Sequence, residues 1–115
     1  MANLTVYGLK NCDTCKKAMT GLSSAGHDVA LVDIRADTDL KAKVPQWLNA
    51  VGADALVNKR STTWRGLSDD DKAKAESGKA EGLLIANPTL IKRPVIEAGP
   101  DVYAGWTKDV QAVFG

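Results

Sequence analysis

Two apolar runs on either side of an amphipathic segment constrain the fold of this chain more than any other feature. The first run, residues 3–7, precedes a turn and predicts a short buried strand. From Cys15 onward, apolar or small side chains recur at helical spacing until Gly26, and residues 28–34 predict a second strand. A strand, helix, strand unit of about thirty residues places its two strands parallel, with a right-handed crossover.

The middle of the chain, approximately residues 38–87, predicts short helices inserted into this fold. Proline fits poorly inside a helix, so Pro45 predicts a loop or broken turn before it and a helix from Pro45 to Val51. Residues 53–57 predict a short helical turn, and the polar, hydroxyl-rich residues 58–66 predict a loop.

A second helical pair follows that loop. Ser68 precedes three aspartates and predicts a capped helix that runs to Gly78, and another helix is expected over Ala80 to Ala86. Consecutive residues point in different directions around a helix, so we do not expect residues 69–71 to bind a metal.

The last third of the chain predicts a hairpin and a final helix. Residues 89–97 lead into a strand, residues 99–101 form a turn, and residues 102–105 return as a strand. Thr107 caps a helix with three residues expected to face the sheet: Val110, Val113 and Phe114. This element order predicts a single α/β domain over residues 1–115, a thioredoxin-like fold with a helical insertion and a small mixed sheet of about four strands.

Both cysteines of the chain lie where the first strand passes into the first helix. A thiolate is the nucleophilic form of cysteine, and the N-terminal dipole of a helix stabilises its charge, so we expect the pKa of Cys12 to be lowered. Cys15 lies one helical turn further on and could resolve a mixed disulfide formed on Cys12. A purely structural Cys15 is the alternative, because it belongs to the apolar stripe of the helix.

Zinc also uses this cysteine spacing, but His27 is the single histidine and there is no third cysteine, so no metal site is expected. Further along the chain, Arg93 precedes Pro94, whose peptide bond could be cis and could present Arg93 toward a neighbouring site. Arg60 and Arg65 could bind an oxyanion or a carboxylate through bidentate hydrogen bonds.

Charge and composition exclude several classes of partner. The net charge of +1 offers no general attraction to nucleic acid or membranes. No secretory signal and no apolar run of membrane-spanning length is visible, so we expect a cytoplasmic protein that is a monomer. In the reducing cytoplasm, two cysteines are expected to be catalytic or redox-sensing rather than a permanent disulfide.

Three blocks together resemble the arsenate reductase (ArsC)/Spx family, and most closely its YffB-like branch. They are Tyr7-Gly8-Leu9-Lys10-Asn11-Cys12-Asp13-Thr14, Leu56-Val57-Asn58-Lys59-Arg60-Ser61-Thr62-Thr63-Trp64-Arg65 and Asn87-Pro88-Thr89-Leu90-Ile91-Lys92-Arg93-Pro94-Val95-Ile96. The resemblance implies a thioredoxin-like domain with a nucleophilic Cys12, and an arginine before a cis proline at Arg93-Pro94. We also expect substrate contacts at Asn11 and Thr14, at Arg60 and Arg65, and at Pro94.

Three functions are compatible with this resemblance. YffB-like proteins are regarded as glutathione-dependent thiol reductases, which implies glutathione as a co-substrate, no bound cofactor and a disulfide-containing substrate. The presence of Cys15 makes the motif similar to that of Spx, a redox-sensing transcription regulator that binds RNA polymerase. Arsenate reduction is the third function, but residues 99–106 lack the arginine that the arsenate reductases place after the hairpin turn.

Overall fold

The computed structural model describes residues 3–114 and shows a mixed α/β protein. The elements, in chain order, are β1 Asn3–Gly8, α1 Asp13–Ser24, β2 Asp28–Asp33, α2 Leu40–Val51, α3 Ala53–Leu56, α4 Thr62–Arg65, α5 Asp69–Glu76, α6 Ala80–Ala86, a 3-10 helix Pro88–Leu90, β3 Val95–Ala98, β4 Asp101–Ala104 and α7 Lys108–Phe114.

The four strands form one mixed sheet in the order β2-β1-β3-β4. β1 pairs with β2 in parallel, in a register that runs from Asn3 opposite Asp28 to Gly8 opposite Asp33. β3 is antiparallel to both β1 and β4, and β3 and β4 form the predicted hairpin. The predicted fold class is therefore confirmed, including the parallel pair on either side of the cysteine helix.

The chain divides into two compact units. The first contains the residues up to Thr38 and those from Arg93 onward, which include the whole sheet, α1 and α7. One cluster of its core lies on one face of the sheet because alternate strand residues point to the same side, whereas Tyr7 and Val95 are buried on the other face. The buried members of this cluster come from β1, β3, α1 and α7: Leu4, Val6, Leu22, Ile96 and Val110.

Helix α1 makes a close contact with this core in its second half. Gly21 faces the Trp106 ring, and a Cβ atom at position 21 would lie 2.7 Å from its Cζ2 atom. Helix α7 begins at Thr107, whose hydroxyl accepts a hydrogen bond from the N–H of Val110 at 3.3 Å. Val110 is buried as predicted, but the prediction for Val113 is wrong, because its side chain is 55% exposed.

The second unit, Asp39–Lys92, consists of α2 to α6 and the 3-10 helix. In it, α2 contacts both α3 and α6, and α5 contacts α3 and α6. Its fully buried large side chains are Val44, Trp47, Leu56, Leu84, Leu90 and Ile91. The main chain of residues 56–58 is joined to residues 90–92 by an isolated bridge between Val57 and Ile91 and by two flanking hydrogen bonds.

The predicted start of α2 at Pro45 is wrong, because the helix begins at Leu40 and contains Pro45 in its interior. Pro45 has no N–H to donate to the carbonyl of Lys41, which costs helical stability. Packing offsets this cost, since Leu40, Val44 and Trp47 lie on one helical face and are all buried. Full burial of side chains of this size stabilises by about 1.5–3 kcal/mol each, so the apolar face overrides the local preference of proline.

The predicted loop over residues 58–66 contains one helical turn, α4. Ser61 caps it by accepting a hydrogen bond from the N–H of Trp64 at 3.1 Å. The Trp64 ring lies beside the ammonium groups of Lys59 and Lys72, which are 5.6 and 5.9 Å from its centroid. The Ser68 cap of α5 is confirmed, because its hydroxyl accepts from the N–H of Asp71 at 3.2 Å.

Pro45→Ala should raise the free energy of unfolding by on the order of 1–3 kcal/mol, because alanine restores the hydrogen bond to Lys41. Chemical denaturation of the two proteins measures the difference. Gln46→Ala, at the exposed neighbouring position, is the control and should change stability by no more than about 0.5 kcal/mol. Equal or lower stability of Pro45→Ala would show that the proline ring contributes more to α2 than its missing N–H removes.

Candidate functional site

The junction between β1 and α1 positions Cys12 at the N-cap of the helix. A tight turn closes it, since the N–H of Cys12 donates to the carbonyl of Leu9 at 3.1 Å. The Cys12 carbonyl then accepts the first helical hydrogen bond, from the N–H of Lys16 at 3.0 Å. Cys12 itself is extended, with φ −89° and ψ 118°, and its side chain is partly exposed. The Cys12 side chain therefore lies at the positive end of the helix and is partly accessible to solvent.

Cys15 lies one turn further on and is almost completely buried, with 1% of its surface exposed. It packs directly against the main chain of β1 at Gly8, where a Cβ atom would lie only 2.5 Å from the Cys15 Sγ. Any side chain larger than hydrogen at position 8 would displace the sulfur. The sequence predicts only a turn at Gly8, because the close approach of a helix residue seven positions later leaves no local pattern.

The two cysteines are free thiols that approach each other to 3.2 Å. The Cys15 thiol serves as a hydrogen-bond donor to the Cys12 sulfur, an arrangement that stabilises the Cys12 thiolate. Because one sulfur is accessible and the other is buried, the pair is chemically asymmetric before any substrate binds.

The pKa of Cys12 lies below its ordinary value. Partial burial alone would raise this pKa, but the N–H and thiol of Cys15 lower it, as do the positive charge of Arg93 and the N–H of Thr14. Each of these groups lowers the pKa because it stabilises the charged sulfur more than the neutral thiol. The balance favours a thiolate, the reactive form of cysteine.

Burial raises the pKa of Cys15 to about 11. A hydrogen bond with the backbone of Leu9 opposes this rise, whereas the neighbouring Cys12 adds to it through its hydrogen bond and its charge. Cys15 thus holds its proton at neutral pH while Cys12 tends to lose its own. The shifts have opposite signs because one sulfur faces the helix terminus and the other faces the core.

The Arg93-Pro94 peptide bond is cis, as the resemblance implies. Pro94 is buried, and its carbonyl accepts a hydrogen bond from the N–H of Gly105 at 2.8 Å. Arg93 is partly exposed, and its charge lowers the pKa of both cysteines, although burial outweighs this effect at Cys15. The structure thus brings Arg93 near Cys12 and Cys15, although the two cysteines lie about eighty residues earlier in the sequence.

The remaining predicted site residues divide between the two units. Asn11 and Thr14 are exposed and flank Cys12 in the first unit. Arg60 and Arg65 belong to the second unit, before α4 and at its last position, and both are exposed. Their assignment to substrate binding stays a prediction.

Two kinds of feature are absent from residues 3–114. Within this range, no three His, Cys, Asp or Glu side chains are arranged so that they could hold a metal ion. In the same part of the chain, no helix has both the length and the apolar character needed to cross a membrane.

Comparison with known proteins agrees with this geometry. An uncharacterized protein of Haemophilus influenzae is 44% identical over 113 residues, which covers 96% of this chain and 98% of that protein. The solved structure of a YffB protein is 33% identical, with a TM-score of 0.84, and covers 96% of this chain and 97% of that one. An arsenate reductase (ArsC) related protein from Brucella melitensis is 32% identical, with a TM-score of 0.76 and coverage of 97% and 93%.

A thioredoxin-like fold with an activated cysteine at the start of its first helix defines a thiol oxidoreductase at the level of the family. The sequence matches the ArsC family over residues 7–114, and the chain belongs to that family. Its similarity to the YffB structure supports the YffB-like branch.

Gly8→Ala should destabilise the protein by about 1–3 kcal/mol, as overpacking of a core does, because its Cβ meets the Cys15 Sγ. Thermal or chemical denaturation measures the loss. Gly82→Ala is the matched control: nothing lies within 4 Å of its added Cβ, so this helical position should gain about 0.5–1 kcal/mol.

Combining Gly8→Ala with Cys15→Ala should recover part of the loss, since the second change removes the clashing sulfur. Strictly additive losses in this double-mutant cycle would contradict the proposed contact.

Iodoacetamide should alkylate Cys12 well before Cys15 at neutral pH, because the pKa of Cys12 is lowered and that of Cys15 is raised. Peptide mapping by mass spectrometry resolves the two sites across a pH series. Arg93→Gln should move the Cys12 alkylation midpoint to higher pH, since it removes a positive charge that favours the thiolate. Arg35→Gln, which removes an exposed arginine elsewhere in the first unit, should leave the midpoint in place.

Proposed function

We propose that this protein is a cytoplasmic, glutathione-dependent thiol reductase with Cys12 as its nucleophile. The observation that carries the proposal is the stabilised, accessible thiolate of Cys12 at the N-terminus of α1, beside Arg93. An accessible thiolate attacks disulfides. A pair with one ionised and one protonated thiol has the asymmetry that a cycle of thiol–disulfide exchange needs.

In the first step, the Cys12 thiolate attacks the glutathione sulfur of a mixed disulfide. A new bond joins Cys12 to glutathione, the old disulfide breaks, and the substrate leaves as a thiolate that takes a proton from water. Arg93 supports this step because its charge favours the reactive form of Cys12. The substrate is reduced and Cys12 is oxidised to a mixed disulfide.

A second glutathione then completes the cycle. Its thiolate attacks the glutathione bound to Cys12, glutathione disulfide leaves, and the Cys12 thiolate is restored. Cys15 competes poorly for this step, because burial raises its pKa and keeps it protonated at neutral pH, and the thiol form is a poor nucleophile. In the mixed disulfide, Cys12 no longer carries the charge that contributes to the raised pKa of Cys15. Burial, the largest cause of that raised pKa, remains.

Cys12→Ser should abolish reduction of glutathionylated substrates in an assay coupled to glutathione, whereas Cys15→Ser should retain most of the turnover. Serine removes the thiolate but keeps the size and position of the side chain, so loss of folding is not the cause. If Cys12→Ser turns over at the wild-type rate, the mechanism is wrong. If Cys15→Ser loses turnover while Cys12 keeps its wild-type pH profile of alkylation, Cys15 is the resolving group, since the activation of Cys12 is then unchanged.

Mass spectrometry of the wild-type protein oxidised with glutathione disulfide provides an independent measurement. The proposal predicts a mass increase of one glutathione, located on Cys12. Closure of a disulfide between Cys12 and Cys15 without added mass would instead indicate a dithiol cycle.

The 3.2 Å approach of the two cysteines supports a second candidate, a redox switch similar to Spx. Oxidation would join the sulfurs and alter binding to RNA polymerase without catalytic turnover. A pull-down of RNA polymerase that depends on oxidation and is lost in Cys15→Ser would favour this candidate. Arsenate reduction has less support, because residues 99–106 contain no arginine; it requires arsenate-dependent consumption of reductant that depends on Arg93 and Arg60.

A further inference from the structure

An open groove of about 370 Å³ runs beside the cysteine pair within the first unit. Its apolar lining consists of Leu9, Met19 and Leu31, all partly buried, and the sulfur-bearing Cys15. This volume is at the lower end of the range of about 300–1,000 Å³ typical of ligand pockets. It therefore suits one or two side chains rather than a large cofactor.

The edge of the groove is polar and positively charged. Lys10 and Lys16 both line it and are exposed, as is Thr20. Lys10 also lines an adjoining cavity with Asp33 and Asp37, which balance part of its charge. No ion pair involves Lys16 among residues 3–114. The groove thus combines an apolar floor with a cationic edge.

The groove adjoins the cysteine pair through Cys15. Cys15 forms part of its wall, and Cys12 approaches Cys15 to 3.2 Å. Leu9, which contributes to the floor, also accepts the backbone hydrogen bond from Cys12. A substrate whose disulfide reaches Cys12 can therefore place its neighbouring residues in the groove.

We propose that this groove binds the peptide segment of a glutathionylated protein substrate, with an apolar side chain on the floor and a carboxylate beside Lys16 and Lys10. This inference rests on the proposed reductase function and assigns its substrate class. Glutathione has carboxylates but no apolar side chain, so by itself it would leave the floor unfilled. The apolar floor therefore favours a peptide over glutathione as the occupant, and the two lysines favour an acidic one.

Two synthetic peptides test the proposal. Each carries one glutathionylated cysteine, flanked on both sides by leucine and glutamate in the first peptide and by glycine and glutamine in the second. Every rate is divided by the turnover of the mixed disulfide of glutathione and mercaptoethanol by the same variant, so changes in Cys12 reactivity cancel. The wild-type protein should prefer the leucine-glutamate peptide by at least about tenfold in kcat/KM, the effect of burying an apolar side chain.

Two variants should remove this preference by different routes. Thr20→Trp places a large ring at an exposed groove position, and Lys16→Glu reverses the charge at the edge. Lys17→Glu is the matched control: it makes the same charge change on the next residue of α1, which does not line the groove, and should keep the preference.

Equal normalised rates for the two wild-type peptides, or loss of the preference in Lys17→Glu as well, would overturn the groove as the recognition site. Absence of turnover with all three disulfides would instead overturn the reductase function. The two failures are therefore distinguishable.

Discussion

The contact between the Cys15 sulfur and the main chain at Gly8 is the constraint on which the candidate site depends. It brings the last residue of the strand β1 against the first turn of α1, because Gly8 has no side chain that would keep the Cys15 sulfur away. Cys12, at the N-cap, lies one turn before Cys15 on the same helix. The missing Cβ atom of Gly8 therefore lets the buried sulfur of the pair reach the main chain of β1.

The same contact explains why two identical side chains differ in chemistry. Burial against β1 deprives Cys15 of solvent and raises its pKa, whereas Cys12 at the helix terminus gains hydrogen-bond donors and the charge of Arg93. The protonated thiol then donates to the ionised one, so each state supports the other. Asymmetry is thus built into the resting protein and does not require a bound substrate.

Elements with strong periodicity could be predicted from the sequence, and elements decided by packing could not. The parallel strands around α1 and the β3–β4 hairpin follow from apolar runs bounded by turn residues. The helix start predicted at Pro45 was wrong because proline locally disfavours a position inside a helix, whereas the buried apolar face of α2 stabilises the helix on both sides of it. Val113 was predicted to face the sheet and does not, because the seven-residue helix α7 buries only part of its apolar residues.

The candidate site was predictable to a similar degree. Cys12 was visible from its place at a strand-to-helix junction, and Arg93 became specific only through the family resemblance, since no local pattern joins residues about eighty positions apart. The role of Gly8 was not visible, because close approach is a property of two elements together. Arg60 and Arg65 lie in a separate compact unit, so their assignment to substrate binding stays a prediction.

Helix α1 is held at two places where only glycine fits: Gly8 of the adjoining strand faces its first turn, and its own Gly21 faces the Trp106 ring. Each contact leaves less clearance than a methyl group. Neither position leaves room for a side chain, so α1 approaches both β1 and the Trp106 ring as closely as a main chain can. The place of the Cys12 sulfur at the N-terminus of α1 is therefore coupled to two close contacts, one in each half of the helix.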